Sequence, residues 1–427
     1  MTEHNEPTEN LHWKKRFFTI WIGQAFSMVG SSLVGFAFVW FLTEKTGSAT
    51  VLAVGSMMSM LPSIIIGPLA GAFVDRWSRK AVLIISDSIT ALFTFLLAFL
   101  FMTDSAQVWH IFVVMFIRSS SGQFQWAAMI ASTSLMVPKD QLSRVAGANQ
   151  TLNGLINIIG PTLGAFFVAL MPLQGILFID VFTAVLAVGP LLFFKIPQPT
   201  LKLSEAEAQE KAKTSVWQDL AEGWRYVKGW PALMAIIFLA MIVNFLVNPI
   251  FSLMPLMVTD HFNKGAYELG LIDSVFGIGA IVGGLILSAW GGFKNMMLTS
   301  LSALAISGGA ILLIGLAPSN GYIMALIGIA IFGIMNPIIN GPLFATIQAK
   351  VSPELQGRVF SLLSAGAALT SPLGLAIAGP LTDATHNTQI WTIIAGVLTA
   401  LVSLLTFPNQ SIRKMGEDPE KTDVQPA

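Results

Sequence analysis

The stretch Gly71 to Lys80, GAFVDRWSRK, separates two long apolar runs by only a few residues. A connection this short forces the two runs into a hairpin. Its polar end gathers Asp75, Arg76, Ser78, Arg79 and Lys80, and such charges belong in water or among lipid headgroups, so the hairpin turns at a membrane surface. The excess of Lys and Arg marks that surface as the cytoplasmic one. Gly71 leaves room for a second helix to come close, and Asp75 is placed to cap a neighbouring helix N-terminus while Arg76 and Arg79 neutralise it. From these residues two readings stand open, a turn that only sets topology and a gate that moves.

The rest of the chain has the composition this reading demands. Of 427 residues, 54% are hydrophobic and only 11% charged, a ratio that excludes a soluble surface and describes a polytopic membrane protein. Charges collect in clusters between apolar runs of about 20 residues, the length a helix needs to cross a bilayer. The formal net charge is zero, which argues against a nucleic-acid partner. No cysteine is present, so disulfides and thiolate metal sites are excluded. The histidines, His4, His12, His110, His261 and His386, lack metal-ligand spacing, and no Gly-x-x-x-x-Gly-Lys-Ser/Thr stretch exists to cradle a nucleotide. Neither a catalytic centre, a metal, a cofactor nor ATP is expected.

Read in order, the chain opens with a polar tail (1–16) that ends in Lys14, Lys15 and Arg16 without a cleavage site after the next apolar segment. Six apolar runs fill residues 17–194, the first from Phe17 to Leu42 with Trp13 and Trp40 as expected interfacial anchors, the second from about Val51 to Val74. Residues 195–230 alternate acidic and basic side chains with alanine and carry Trp217, Leu220, Trp224 and Val227 at helical spacing, the pattern of an amphipathic linker helix. Six more runs fill 231–407, and a polar tail (408–427) closes the chain. With both termini inside, only Lys45 and Lys264 of the 23 Lys and Arg fall in outer loops and Arg118 falls within a span, which leaves the other 20 on the cytoplasmic side. A single missed span would destroy that bias. The fold class is therefore an all-α membrane protein of twelve transmembrane helices.

The two sets of six carry a faint internal repeat. VPKDQLSRVAG after the fourth run matches VSPELQGRVFS after the tenth, placing Arg144 opposite Arg358. Gly160-Pro161-Thr162-Leu163-Gly164 in the fifth run has its counterpart in Ser371-Pro372-Leu373-Gly374 in the eleventh.

Four ionisable residues lie inside apolar runs, Asp87, Arg118, Asp180 and Asp273, where a charge costs about 2.5–3.5 kcal/mol even on the lenient insertion scale. Arg118 is near mid-membrane, and either a functional charge or an arginine neutralised by Asp87 or a carbonyl satisfies that placement. Neutral amides form a second set. Asn149, Asn153 and Asn157 share one face of the fifth run, Asn244 and Asn248 of the seventh, Asn336 and Asn340 of the tenth. Singly they read as interhelical hydrogen bonds; together with Gln24, Gln123 and Trp126 they read as the lining of a cavity for a large, part polar and part apolar ligand.

Several of these stretches resemble one family. Gly-x-x-x-Asp-Arg-x-x-Arg-Lys is similar to the loop between spans two and three of major facilitator transporters, with Ser78 where a glycine is usual, and IRSSSGQF around Arg118 resembles their proton-linked span-four element. Gly160-Pro161-x-x-Gly164 resembles the helix-packing motif of drug exporters, with Ile156 in place of its first glycine. WKKRFFTIWIGQAFS, FLTEKTGSATVL, FIRSS, DHFN and QGRVFSL look like the macrolide-efflux permeases of Gram-positive bacteria. The resemblance implies the major facilitator fold, two six-helix halves that rock about a central substrate cavity, and a proton-driven antiporter of the bacterial plasma membrane. It implies a bulky amphipathic drug as substrate, a macrolide first, with a lysophospholipid or a siderophore as the alternative cargo. Outside transport, a membrane sensor or the membrane partner of a separate ATPase stays open.

A proton carrier must border the cavity and change charge near physiological pH. Asp87 lies close to the cytoplasmic end, and in the implied fold span six places Asp180 toward the periphery of its half. Asp273 opens the glycine-rich stretch Gly277, Gly279, Gly283, Gly284 on span eight, a cavity-side helix in that fold, and is the expected carrier; Arg118 with Asp87 is the next pair.

Overall fold

In the computed structural model the described residues are 6–138, 141–194, 196 and 224–416, and all their regular structure is helical. Helices α1 (Glu6–Thr46), α2 (Ala49–Ile65), α3 (Gly67–Arg76), α4 (Arg79–Met102), α5 (Val108–Met136), α6 (Leu142–Leu170) and α7 (Leu173–Phe193) come first. After the linker come α8 (Pro231–Leu256, prolonged by a π turn at Met257–His261), α9 (Ala266–Trp290), α10 (Met296–Gly315), α11 (Tyr322–Lys350), α12 (Pro353–Thr385), α13 (Ile390–Thr406) and the short α14 (Gln410–Met415). Among the described residues nine helices are long and apolar enough to cross a membrane, and α2 and α13 are shorter apolar helices. Helix α5 is long enough at 29 residues but is diluted by Arg118, its serines and its glutamines.

The second apolar run is one segment in the sequence and two helices in the fold. Pro68 has no N–H to continue the ladder and Pro62 removes another donor, so the chain breaks at Ile66, and Pro68 starts α3 where a missing N–H is harmless. Beyond the hairpin Ser78 takes up an extended backbone and its side chain accepts from the Ala81 N–H, capping α4.

The chain divides into two compact units, Met1–Thr46 with Val54–Leu203, and Gly47–Ala53 with Ser204–Ala427. Within the first, α4 packs on α5 and α7, α1 on α6 and α7, and α3 on α5; within the second, α10 packs on α11 and α13, α8 on α12 and α13, and α9 on α11. Helix for helix, these are the same pairings. The repeat that is faint in side chains is thus complete in the way helices choose neighbours. Its two proline-glycine elements do the same work in each unit: a Cβ on Gly164 would meet the Phe36 side chain of α1 at 2.8 Å, and one on Gly374 would run into the Phe245 carbonyl of α8. Only a missing side chain lets the backbones come so close.

Burial follows the logic of lipid rather than of water. On α4 the residues Ile85, Ile89, Leu92, Leu96 and Phe99, at steps of four, three, four and three, are exposed, while Ser86, Asp87 and Thr94 are buried. Trp13 and Trp40, expected at the membrane interface, are only 8% and 6% exposed; Trp13 packs with Phe17, Val82 and Val137 inside the first unit, where its large apolar ring area fills the space between helices. The linker reading of 195–230 falls outside the described residues up to 223; within the described part Val227 is buried among Leu233, Ile236 and Val359.

Candidate functional site

The charged centre of the first unit is assembled from three helices. Arg118 of α5 donates from Nη1 to Asp180 Oδ2 of α7, from Nη2 to Asp180 Oδ1 at 3.3 Å, and from Nη1 to the Thr94 hydroxyl of α4. The guanidinium fork therefore grips both carboxylate oxygens, the geometry that best offsets the desolvation of two charges. Their side chains are 10% and 2% exposed. Ser31 of α1 adds a hydrogen bond to Asp180 at 3.4 Å. Gly30 makes room for this centre, since a Cβ there would clash with Thr183 and lie 3.1 Å from Asp180 Oδ1.

Asp87, two helical turns before Thr94 on α4, is held differently. Gln24 Nε2 of α1 donates to Asp87 Oδ2 at 2.9 Å, and Gln125 Nε2 of α5 donates both to Asp87 Oδ1 at 2.6 Å and to Gln24 Oε1 at 2.7 Å. The carboxylate, 3% exposed, is satisfied by neutral amides and by no cation.

Two cavities flank these groups. A polar one of about 270 Å³ is bordered by Ser31, Asp87, Thr90, Arg118, Ser119 and Gln125. A larger one of about 520 Å³ is bordered by Trp21, Gln24, Gln125, Trp126, Asn149 and Asn153, with the Trp21 indole N–H donating to Asn149 Oδ1 at 2.6 Å. In the second unit a cavity of about 370 Å³ is bordered by Asn244, Asn248, Asn336 and Asn340 and by Phe251, Phe276 and Phe332, whose ring centroids lie 5.4–5.8 Å apart. Asn248 donates to Asn244 Oδ1 at 3.1 Å and to the Ser371 hydroxyl at 2.5 Å. Mostly apolar walls with a few fixed polar groups are what a bulky amphipathic ligand requires.

The structure thus brings together six of the seven predicted asparagines, Gln24 and Trp126 as cavity residues; Asn157 is exposed, and Gln123 lies against Gly67 of α3. Arg118 pairs with Asp180 rather than with Asp87. Asp273 sits on α9 with no hydrogen bond or ion pair to its carboxylate among the described residues, and of its glycine-rich stretch Gly279 and Gly283 abut the α11 backbone at Ala330, Gly333 and Ile334, so part of that stretch is a packing seam. In the hairpin motif Arg79 donates to the Ala131 carbonyl in the last turns of α5 at 2.6 Å, and Lys80 donates to the Leu192 carbonyl at 3.1 Å, satisfying a C-terminal carbonyl of α7. Gly71 faces open space, and the side chains of Asp75 and Arg76 lie outside the described residues.

Two functional candidates escaped the sequence reading. Gln125 is seven residues, two helical turns, past Arg118 and so on the same face, a spacing that would have singled it out over Gln123. Asp383, near the end of α12, had no such signal. Its Oδ1 accepts from Ala49 N at 2.7 Å, and its Oδ2 accepts from Thr50 N at 3.0 Å and from the Ser48 hydroxyl at 2.8 Å. It caps the N-terminus of α2 from more than 300 residues away in sequence.

Residues 20–375 and 250–424 match the family described as Major Facilitator Superfamily. Macrolide efflux protein A of Streptococcus pyogenes is 31% identical over 404 residues, 95% of this chain and 98% of that protein. Multidrug efflux pump Tap of Mycolicibacterium fortuitum is 28% identical over 371 residues, 83% of this chain and 86% of that one. Among solved structures, a bacterial homologue of the human lysosomal transporter Spinster superposes with a TM-score of 0.71 at 12% identity, covering 97% of this chain and 100% of the other, which speaks for the fold alone. Twelve helical segments among the described residues, in two like-paired sets, and 31% identity to an efflux permease over 95% of the chain agree: the chain belongs to the Major Facilitator Superfamily, among its macrolide-efflux permeases.

Proposed function

We propose that the protein is a proton-coupled antiporter that exports a bulky amphipathic compound, a macrolide first, across the bacterial plasma membrane, with both termini cytoplasmic. Efflux of drugs follows from the family to which it belongs; the coupling ion and the cargo are our reading. The observation that carries the coupling is Asp87. Arg118 and Asp180 compensate each other, whereas Asp87 is a buried carboxylate that among the described residues has amide hydrogen-bond donors and no ion-pair partner, and a proton is the charge that can neutralise it. Inward movement of one proton supplies about 2.3 kcal/mol per 100 mV, plus the pH gradient, and no nucleotide is called for. The amide and aromatic linings of the two larger cavities support the cargo, offering hydrogen bonds to sugar hydroxyls and flat apolar contact to a macrolactone.

Everted membrane vesicles loaded with respiratory substrate but no ATP are expected to accumulate radiolabelled erythromycin, and a protonophore is expected to abolish the accumulation. Accumulation that survives the protonophore and needs ATP would instead indict a separate ATPase partner. Failure with erythromycin but success with a lysophospholipid or a siderophore would change the cargo and keep the mechanism.

Orientation has its own test. Because the chain has no native cysteine, Ser105→Cys and Ser319→Cys are expected to react with an impermeant maleimide added to intact cells, while Ser78→Cys is expected to stay unlabelled until the cells are opened. Labelling of Ser78→Cys from outside would reverse the assignment.

A further inference from the structure

The amides that hold Asp87 also form the wall of the larger cavity. Gln24 and Gln125 border the 520 Å³ space, and Gln125 borders the 270 Å³ polar space as well, on the side where Asp87 and Arg118 are found. Asp87 and Arg118 are the ionisable residues that border either space among the described residues, and the remaining charge facing them, Asp180 of α7, is taken by Arg118. Of the elements packed here, α1 contributes no ionisable side chain, its polar groups being Trp21 and Gln24 at the larger space and Ser27 and Ser31 at the smaller, and α6 contributes asparagines and a glutamine to the larger space. The two glutamines are therefore the partition between a carboxylate and a ligand-sized cavity.

We propose that Gln24 and Gln125 form an amide relay that makes the larger cavity of the first unit a site for amphipathic cations when Asp87 is ionised and cancels that site when Asp87 takes up a proton. This rests on the proton-coupled reading above and names the residues that carry it. An ionised carboxylate accepts only, so both amide nitrogens must face it, and Gln125 spends both of its N–H groups inward, one on Asp87 and one on Gln24. The wall then offers carbonyl oxygen to the cavity, backed by a negative charge with no cation of its own. An ammonium-bearing amphiphile is the ligand this wall favours.

Protonation reverses the geometry. The arriving proton bonds to a carboxylate oxygen of Asp87, the charge disappears, and the new O–H must donate. An amide that had been donating to that oxygen has to turn through half a rotation to present its Oε1, because an N–H facing an O–H leaves both buried groups unsatisfied. Turning Gln125 withdraws its donor from Gln24 Oε1 and swings its NH₂ toward the cavity. The wall now shows donors and no negative charge, and a bound cation is no longer held. Proton and drug thus compete without touching, which is the requirement of exchange.

The test uses full-length protein in detergent and erythromycin as the probe, its binding measured by equilibrium dialysis between about pH 5.5 and about pH 7.5, where the probe stays cationic. Wild type is expected to bind at least about tenfold more tightly at the upper pH. Asp87→Asn is expected to bind with the weaker affinity at both. Gln125→Met keeps the length of the side chain and loses the amide, and is expected to bind more weakly than wild type at the upper pH and to lose the tenfold pH response; Gln24→Met repeats the measurement should Gln125→Met fail to fold. Infrared difference spectra of the ligand-free protein are expected to show a protonated carboxyl band at low pH that Asp87→Asn lacks. Glutamine variants that keep the full pH response overturn the relay. A carboxyl band that survives Asp87→Asn and vanishes in Asp273→Asn overturns it too, and moves the proton to α9. If wild-type export survives a protonophore, the proton-coupled reading itself has failed, and the relay falls with it.

Discussion

Asp180→Asn is expected to destabilise the protein by about 3–5 kcal/mol, the cost of stranding one member of a buried ion pair. Arg118 would keep its charge in the middle of the first unit with only the Thr94 hydroxyl and an amide oxygen to face it. Arginine cannot shed its proton to escape, so the loss shows in folding and not only in transport. An SDS titration in mixed micelles measures it. Removing both charges together in Arg118→Met/Asp180→Leu is expected to cost less than Asp180→Asn alone, because no unpaired charge remains. The double variant is expected to fold and still to be inactive if Arg118 orients the polar cavity beside Asp87. A Asp180→Asn protein within about 0.5 kcal/mol of wild type would mean that the pair is bathed in water and is not a structural element.

The second large effect is expected from Asp383→Ala. The carboxylate accepts two backbone N–H groups and one hydroxyl at the start of α2, and loss of an N-cap side chain costs about 0.5–2 kcal/mol. With the added charge against the helix dipole the upper part of that range applies. Gly379, one turn before Asp383, has no room for a side chain against Ala53 and Thr50, so the start of α2 is packed as well as capped. Hydrogen exchange at the Ala49 and Thr50 amides is expected to rise by about 5–30-fold, the factor that 1–2 kcal/mol represents, while the amides of α10 stay as protected as before. Unchanged exchange in 46–52 would show that the first turn of α2 holds itself.

Both effects belong to residues that the chain's linear order treats very differently. Asp180 announces itself, since an aspartate in an apolar run must find a partner or a function. Which partner is another matter: Asp87 and Asp180 lie on α4 and α7, and the guanidinium of Arg118 meets Asp180 where Gly30 lets α1 close on α7. Asp383 announces nothing, as it stands at the end of an apolar run where any charge is cheap. Its role appears only when α12 is laid against a helix start more than 300 positions earlier.

Helix count, the polar hairpin at Gly71–Lys80, the duplicated order of spans and the asparagine faces were all legible in the sequence, because each is a local consequence of lipid as a solvent: backbone groups must be satisfied within a helix, and charges must leave the bilayer or be paired. Even the break at Ile66 was written in Pro62 and Pro68, local signals of the same kind. The pairing of Arg118 with Asp180, the amide cage of Asp87, the choice of Gln125 over Gln123 and the cap from Asp383 were decided by the tertiary structure alone. Each is a contact between helices, and its geometry depends on rotations about helix axes and on how closely glycine lets two backbones approach, quantities summed over every neighbour and carried by no single stretch of the chain.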